Sequence, residues 1–446
     1  MSKWEFVQLK EVLRHQKGNV RSLLIDDATE YKLCRVQVHR KGVVLRKKQF
    51  GHEIKTKKQQ LCHTGDLIVA EMDAKFGGYG FIPPDLEGSV VSSHYYLYEL
   101  DYSKITQEYL EVLINTDYIQ NQIEAKGSTN YSSIRAWEFL EYTIPLPSLK
   151  EQRSISKQFR TFADFKNKLS VELNKQEKYV SQLKQAILQE AIAGQLTAEW
   201  RTENPMQKGN SDTDAAALLA TIKAEKQQLI ADGKLKKENI LPEISPDKIP
   251  FILPNTWVWC PLGEVTHFID YRGKTPTKIT SGIRLITAKN VKQGYLSLSP
   301  DEYISEQEYE ERMTRGYPQL GDVFFTTEAP LGNACLNNLD EPISMGQRII
   351  TIRSIAFLSS YLLKVILSPA IQKEIDIRKT GVTAQGIKSK RLVEVHFPLP
   401  PLAEQKAIVE KVDKLMNIID RLEQQIKHRK QLAEDLMQTV LREAFE

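Results

Sequence analysis

Apolar residues recur with helical spacing over two long segments, one in the middle of the chain and one at its end. In the later segment the steps alternate between four and three residues, through Ile408, Val412, Leu415 and Ile419. The earlier segment has the same alternation from Ile155 onward. Because this alternation is the seam of a coiled coil, it predicts two helices of roughly 43 residues each.

The two predicted helices can pack on their own domains or on each other, and we favour pairing with each other. The seam residues expected to make this contact are Phe159, Phe162, Leu169, Leu173 and Leu183 in the first helix, and Val412, Leu415, Ile419, Leu422, Ile426 and Leu436 in the second. Each helix follows a domain. Antiparallel pairing would therefore place the domains at opposite ends, about a pseudo-two-fold axis.

Before each helix the pattern changes to short apolar runs that are broken by glycine and turn residues, as in "GVVL" and "DLIVAEM". Such runs are typical of strands, and residues 106–125 add a helical pattern to the first region. Residues 255–396 follow the same plan. Each region is therefore predicted to be a mixed α/β domain with a strand-rich core.

The plan recurs because the chain is a tandem duplication. The text "IPLPSLKEQRSISKQF" at 144–159 returns as "FPLPPLAEQKAIVEKV" at 397–412, and "WEFVQLKEV" at 4–12 returns as "WVWCPLGEV" at 257–265. In each proline-rich copy a strand end runs into a helix, with Glu151 or Glu404 in the first turn, where the helix dipole favours a carboxylate. The repeat unit is far longer than that of a solenoid.

These observations predict an α+β chain of two similar domains and two long antiparallel helices. The predicted segments are a first domain at 1–143, a first long helix at 144–194, a linker with a short helix at 195–254, a second domain at 255–396 and a second long helix at 397–446.

Composition excludes several classes of protein. No apolar run approaches the length of roughly 18 residues that a membrane span needs. The four cysteines are scattered, which fits a reducing cytoplasm and argues against a disulfide framework or zinc site. No spacing of histidine and cysteine suits a metal, and "RGKT" at 272–275 lacks the first glycine of a P-loop. We therefore expect no catalytic centre, metal or cofactor in this chain.

Charge is uneven, although the net charge is only +4. Residues 31–58 carry ten lysines and arginines against one glutamate, and residues 271–294 carry six against no acidic residue. A run of basic residues is often simply a solvent-exposed face of the protein. Two such runs at matching places in a duplicated domain favour contact with the phosphates of DNA.

Two matching polar loops, at 126–140 and 380–395, add further basic residues. The candidate DNA-binding residues are Arg40, Lys41, Arg46, Lys47, Lys48, Lys55, Lys57 and Arg135 in the first half, and Arg272, Lys274, Lys278, Arg284, Lys289, Asn290, Lys292, Lys388 and Lys390 in the second. The pattern does not separate base contacts from phosphate contacts.

The chain resembles the specificity subunits of type I restriction–modification enzymes. The resemblance is carried by the two proline–helix motifs, by "GQLTAEWRTENP" at 194–205 and by "IRLITAKNVKQGYL" at 283–296 followed by "GDVFFTTEAPLGNA". It implies two target-recognition domains, each reading half of a split DNA site, with the helices setting the spacer. Fewer family segments are recognisable in the first domain than in the second.

The resemblance also implies partners. Two modification subunits with S-adenosylmethionine would methylate adenine, and restriction subunits would cut DNA with ATP and magnesium, while this cytoplasmic chain would have no activity alone. Two alternatives stay open. One is a coiled-coil adaptor between protein-binding domains, and the other is the recognition subunit of a phage-defence methylation system without cleavage.

Overall fold

The structure is a computed structural model. It describes residues 4–16, 20–123, 133–236, 240–242, 244–245, 247, 249–271, 275–381 and 385–445. The chain forms two compact units, one of Met1–Asn174 with Lys427–Glu446 (unit 1) and one of Lys175–Ile426 (unit 2). No helix among the described residues is long and apolar enough to cross a membrane.

Unit 1 contains eleven strands within its described residues. These are β1 (Phe6–Gln8), β2 (Leu13–His15), β3 (Ser22–Leu24), β4 (Glu30–Val36), β5 (Val43–Phe50), β6 (Lys58–Leu61), β7 (Leu67–Ala70), β8 (Tyr79–Phe81), β9 (Val90–Val91), β10 (Tyr95–Leu100) and β11 (Thr143–Pro145). Its helices are α1 (Gln107–Ile114), α2 (Asp117–Gln120), α3 (Ala136–Glu141) and the first part of α4 (Leu149–Ile192).

Unit 2 begins within α4 and continues with α5 (Ala198–Glu203) and α6 (Ala215–Ala231). Its strands are β12 (Val258–Pro261), β13 (Thr266–Asp270), β14 (Ile283–Ile286), β15 (Tyr303–Ile304), β16 (Val323–Thr326), β17 (Ala334–Leu336), β18 (Ile343–Met345), β19 (Ile349–Ser354) and β20 (His396–Leu399). The remaining helices are α7 (Leu262–Val265), α8 (Glu306–Arg312), α9 (Ser359–Leu367), α10 (Pro369–Ile377), α11 (Ser389–Leu392) and α12 (Leu402–Phe445), whose last part belongs to unit 1.

The predicted duplication is confirmed by the sheets. A four-stranded sheet in unit 1 has the order β2-β10-β7-β8, and its counterpart in unit 2 has the order β13-β19-β16-β17. In each unit the first strand pairs antiparallel with the strand that leads to the long helix, as β1 with β11 and β12 with β20. In both units a buried tyrosine hydroxyl donates a hydrogen bond to this last strand. Tyr109 donates to the Pro145 carbonyl and Tyr361 to the Pro398 carbonyl, each at 2.8 Å.

The glutamine of the repeated "EQ" pair ties each long helix to its domain. The side-chain oxygen of Gln152 accepts from Thr106 N at 2.8 Å, and that of Gln405 accepts from Leu358 N at 3.0 Å. Their amide nitrogens donate to a proline carbonyl just before the helix, at 2.9 and 3.0 Å. Both glutamines are buried, so the motif is a structural clamp.

The long helices α4 and α12 are 44 residues each. The contacts between them are Lys166–Glu434 and Asn174–Lys430 in unit 1, and Lys184–Asp420 and Lys184–Glu423 in unit 2. As residue numbers rise along α4, those of the partners in α12 fall, so the pairing is antiparallel. The predicted fold class, repeated α/β domains with a pair of long antiparallel helices, is confirmed.

Only part of the predicted seam is buried. The buried positions recur every seventh residue, as Leu173, Val180 and Ile187 in α4 and Val412, Ile419 and Ile426 in α12. Leu169 and Leu415 are partly buried, whereas Phe162, Leu183, Leu422 and Leu436 are exposed. Two helices in contact bury only a narrow stripe of each other's surface. The second apolar position of most heptads is therefore exposed to solvent.

Two expectations need correction. Phe159, predicted to contact the other helix, packs with Ile155 against the core of the first domain, because α4 leaves that domain over its apolar surface. The described residues between α4 and β12 form two α-helices, α5 and α6, where the apolar pattern predicted one. The added helix α5 is only six residues long, which is too short for a periodic signal.

Candidate nucleic-acid interface

The second sheet of unit 1, together with the loops that flank β5, carries most of the basic residues predicted for the first domain. Its order is β3-β6-β9-β4-β5, so β5 is an edge strand. Leu33 lies opposite Lys47, and Cys34 lies opposite Leu45, which leaves Arg46 as an extra residue in β5. This β-bulge breaks the alternation of side chains between the faces of the sheet, so Arg46 and its neighbour Lys47 line the same cleft.

Several cations on β5 and in the loops beside it have side chains without a partner among the described residues. Those that are exposed, with no hydrogen bond or ion pair to another described residue, are Lys41, Arg46, Lys47, Lys48 and Lys55. Unpaired cations on one sheet edge create a positive potential that neighbouring carboxylates do not cancel. The arrangement is suited to contact with a polyanion.

Arg40 and Lys57 differ from their neighbours because they have partners within the domain. Arg40 Nε donates to Gln120 Oε1 at 3.0 Å, and its Nη1 donates to the carbonyl of Asn115 at 3.2 Å. Lys57 Nζ donates to the Gly51 carbonyl at 2.7 Å and pairs with an aspartate. Both side chains stabilise loops, and contact of either with DNA stays a prediction.

In the described part of the matching segment of unit 2, two of the four basic residues are paired with carboxylates. Arg284 Nε donates to Glu341 Oε1 at 2.9 Å, a hydrogen bond that raises the pKa of the guanidinium, and Arg284 also pairs with Asp301. Lys278 Nζ lies 2.7 Å from Glu302 Oε1. The cations left exposed or partly exposed without such partners in the described part of this segment are Lys289 and Lys292.

Asn290 has a structural role that excludes it as a groove contact in this conformation. Its side chain is 1% exposed. The oxygen accepts from Thr287 N, and the nitrogen donates to the carbonyls of Ser297 and Pro300, all three at 2.9 Å. No polar atom of Asn290 is left on the surface, and the side chain instead shapes the turn after β14. This corrects its prediction as a DNA-binding residue.

The two polar loops before the last strands occupy equivalent places. Ile134 N donates to the Glu71 carbonyl and Ile387 N to the Thr327 carbonyl, both at 3.0 Å. Arg135 and Lys388 follow these residues directly, and both are exposed at the start of a short helix. Lys390, two residues after Lys388, is exposed as well. Arg272 and Lys274 lie outside the described residues.

The prediction of DNA-binding residues from runs of basic residues did not include several polar side chains of these regions. Gln49 lies on β5 beside the bulge, and Gln347 and Arg348 follow β18 directly. Gln49 and Gln347 are uncharged, and Arg348 is not part of a run of basic residues, so a search for positive charge does not detect them. The sequence feature that could have identified Gln347 and Arg348 is their position just after a short apolar strand. No group of three or more potential metal ligands occurs among the residues that the structure describes.

The family model described as "Type I restriction modification DNA specificity domain" matches residues 1–178 and 254–429, once for each repeat. The EcoAI specificity subunit of Escherichia coli is 28% identical over 342 residues, which cover 73% of this chain and 54% of that protein. The match to the EcoEI specificity subunit covers 43% of its length, so the chain spans about half the length of these relatives.

Solved structures agree on the fold. A chain from a structure of the assembly and conformational transition of the type I R-M system has a TM-score of 0.65 at 20% identity and covers 99% of this chain and 97% of its own length. The HsdS subunit from Thermoanaerobacter tengcongensis has a TM-score of 0.56 at 20% identity and covers 99% and 96%. At this identity the likeness shows the architecture alone.

Proposed function

Because the chain belongs to the family of type I restriction modification DNA specificity domains, we propose that it is the DNA-specificity subunit of a type I restriction–modification complex. Each α/β domain reads one half of a bipartite DNA site, and the long helices set the spacer between the halves. The observation that carries the proposal is the double match of the family model onto two copies of one framework. The segments 1–143 and 255–396 are the two recognition domains.

In this proposal the chemistry belongs to partner subunits. Modification subunits methylate adenine with S-adenosylmethionine, restriction subunits use ATP and magnesium to cut DNA, and this chain selects the site without a catalytic centre of its own. Selection by two domains is physically sensible, because each mismatched base pair costs only about 1–3 kcal/mol. Two linked recognition domains combine their free energies of discrimination between matched and mismatched sites.

The exposed apolar residues of the long helices support docking of the modification subunits there. Leu183, Leu422 and Leu436 are 40–50% exposed, and Phe165 and Tyr179 are more exposed still. Apolar side chains that lie on a coiled-coil seam but face solvent are typical of helices that bind a further partner.

The test is single-molecule methylation sequencing of DNA from a host that expresses the modification subunits with and without this chain. We expect a split motif, two short unequal halves with a fixed gap, to be methylated at adenine only when the chain is present. If adenine methylation by an active modification subunit is the same without this chain, the proposal fails, and the coiled-coil adaptor becomes the function to test.

A further inference from the structure

The repeat extends to the second sheet of each domain, which has five strands in unit 1 and three in unit 2, and where the similarity of sequence is faint. In unit 1, β4 lies between β5, which is antiparallel to it, and β9, which is parallel. In unit 2, β14 lies between the antiparallel β15 and the parallel β18. The order β9-β4-β5 is therefore repeated as β18-β14-β15, while β3 and β6 of unit 1 have no counterpart in this sheet among the described residues of unit 2.

Each of these sheets has a cleft beside its parallel strand pair. The cleft in unit 1 has a volume of about 370 Å³ and is lined by Leu33 of β4, Val91 of β9 and the following Ser92. The cleft in unit 2 has a volume of about 210 Å³ and is lined by Leu285 of β14 and by Gln347, just after β18. The carboxyl ends of parallel strands are the usual place for ligands in such sheets.

The first cleft is rich in hydrogen-bond donors. Arg46, Lys47 and Lys55 line it, and none of the three has a hydrogen bond or ion pair to another described residue. The bulge at Arg46 presents its guanidinium beside Lys47 on an edge strand. A planar guanidinium with free donors matches the two acceptors, N7 and O6, that guanine presents in the major groove.

The second cleft combines donors with acceptors. Gln347 lies in its wall, its side-chain oxygen accepts from Thr275 Oγ1 at 3.0 Å, and its amide nitrogen has no partner within the described residues. Glu302 also lines the cleft, and its Oε2 has no hydrogen-bond partner there. An amide that donates and accepts at once matches N7 and the N6 amino group of adenine.

We propose that these two equivalent clefts are the base-reading sites of the domains, with Arg46 reading guanine in one half-site and Gln347 reading adenine in the other. The assignment rests on the proposed function. It explains how one framework reads two different half-sites: the strand order is shared, and the side chains that line the cleft differ.

The test uses the complex of this chain with its modification subunits and the methylated motif as the readout. Arg46→Ala is expected to relax one guanine of one half-site, with the preference at that position falling about 5- to 150-fold, and to leave the other half unchanged. Gln347→Ala is expected to relax one adenine of the other half. Lys48→Ala is the matched control, because Lys48 lies on the same edge strand outside the cleft. It should weaken binding without changing the motif.

The outcomes separate the two proposals. If the wild-type motif is bipartite but stays unchanged in both Arg46→Ala and Gln347→Ala, the cleft assignment is overturned and the proposed function stands. Relaxation of both halves by Arg46→Ala alone would also overturn it, because each cleft is assigned to one half. If the wild-type complex gives no bipartite motif, the proposed function falls and the assignment falls with it.

Discussion

The two long helices begin at equivalent places in the repeat, yet the glutamate of the first turn has opposite surroundings. Glu151 is partly exposed and makes a local cap, accepting from Ser148 N at 3.1 Å and Ser148 Oγ at 2.8 Å. Glu404 is fully buried, and it accepts from Trp257 Nε1 at 2.7 Å and Thr197 Oγ1 at 2.6 Å and pairs with Arg201.

The difference comes from the segment that follows α4. Thr197 and Arg201, the latter in α5, belong to the "GQLTAEWRTENP" text, and they cover the start of α12. The same sequence signal, an acidic residue in a first helical turn, is thus a surface cap in unit 1 and an enclosed ionic centre in unit 2. The buried carboxylate is tolerated because three side chains, Thr197, Arg201 and Trp257, donate hydrogen bonds to it.

Removing the two glutamates tests this contrast with the largest expected effect. Glu404→Ala leaves Arg201 and the Trp257 indole without their buried acceptor, and we expect it to lower the free energy of unfolding by about 3–5 kcal/mol. Glu151→Ala removes only a surface cap and should cost about 1 kcal/mol. Urea unfolding of both variants measures the difference, and equal losses would contradict the contrast.

The long helices allow a similar comparison between buried and exposed seam positions. Ile419 is 2% exposed and Leu422 is 40% exposed. Ile419→Ala should destabilise the chain by about 2–5 kcal/mol, because it leaves a cavity in the helix pair. Leu422→Ala should cost less than about 1 kcal/mol in the isolated chain. Thermal unfolding tests both.

Assembly gives the matching test of the exposed position. Leu422→Asp should leave the unfolding of the isolated chain nearly unchanged and weaken assembly with the modification subunits. Size-exclusion chromatography of the mixed subunits is the readout. Normal assembly of Leu422→Asp would count against docking on this face.

The two basic surfaces differ in how their cations are paired, and DNA binding should reflect this. Reversing Lys47 and Lys48 to glutamate removes free cations, so affinity for any DNA should fall and the slope of log K against log salt should flatten by about 0.9 per lost phosphate contact. Lys278→Glu is the control, since Lys278 is already paired with Glu302. It should change the slope less, and an equal change would show that local pairing is irrelevant.

A further contrast concerns pH and the aspartate that follows the glycine in both "GDLIVA" and "GDVFFT". Burial raises the pKa of Asp66 to about 7, against the opposing charge of Arg21, whose Nη2 lies 3.2 Å from Asp66 Oδ1. A carboxyl with a raised pKa stabilises the fold at low pH, and this contribution is lost as the pH rises from about 4 to 7. In unit 2, Arg353 donates to both oxygens of Asp322, at 2.8 and 2.7 Å.

Asp66→Asn should therefore flatten the decline of the melting temperature between pH 4 and 7. Thermal unfolding followed across this range is the measurement, with the wild-type chain as the reference. A variant whose melting temperature declines as steeply as that of the wild type would show that Asp66 does not contribute to the pH dependence.

Repeated local signals made the architecture predictable. The proline–helix motifs, with Gln152 and Gln405 as their clamps, recur without a gap, and apolar periodicity reveals long helices more reliably than short elements. Short strands were harder, because β9 and β15 have two residues each and no periodicity to detect. The second sheet of each domain and its cleft are therefore visible only in the structure.

The duplication, the two long helices and the places where positive charge is concentrated can be predicted from the sequence, because each depends on residues that are neighbours in the chain. Which charges are free depends on folding, since the partners of Arg284 and Arg40 lie far away in the chain. Folding likewise encloses Asn290 and places Arg46 in the same cleft as Lys47. Pairing, burial and strand register depend on residues that meet only on folding, so the pattern along the chain does not contain them.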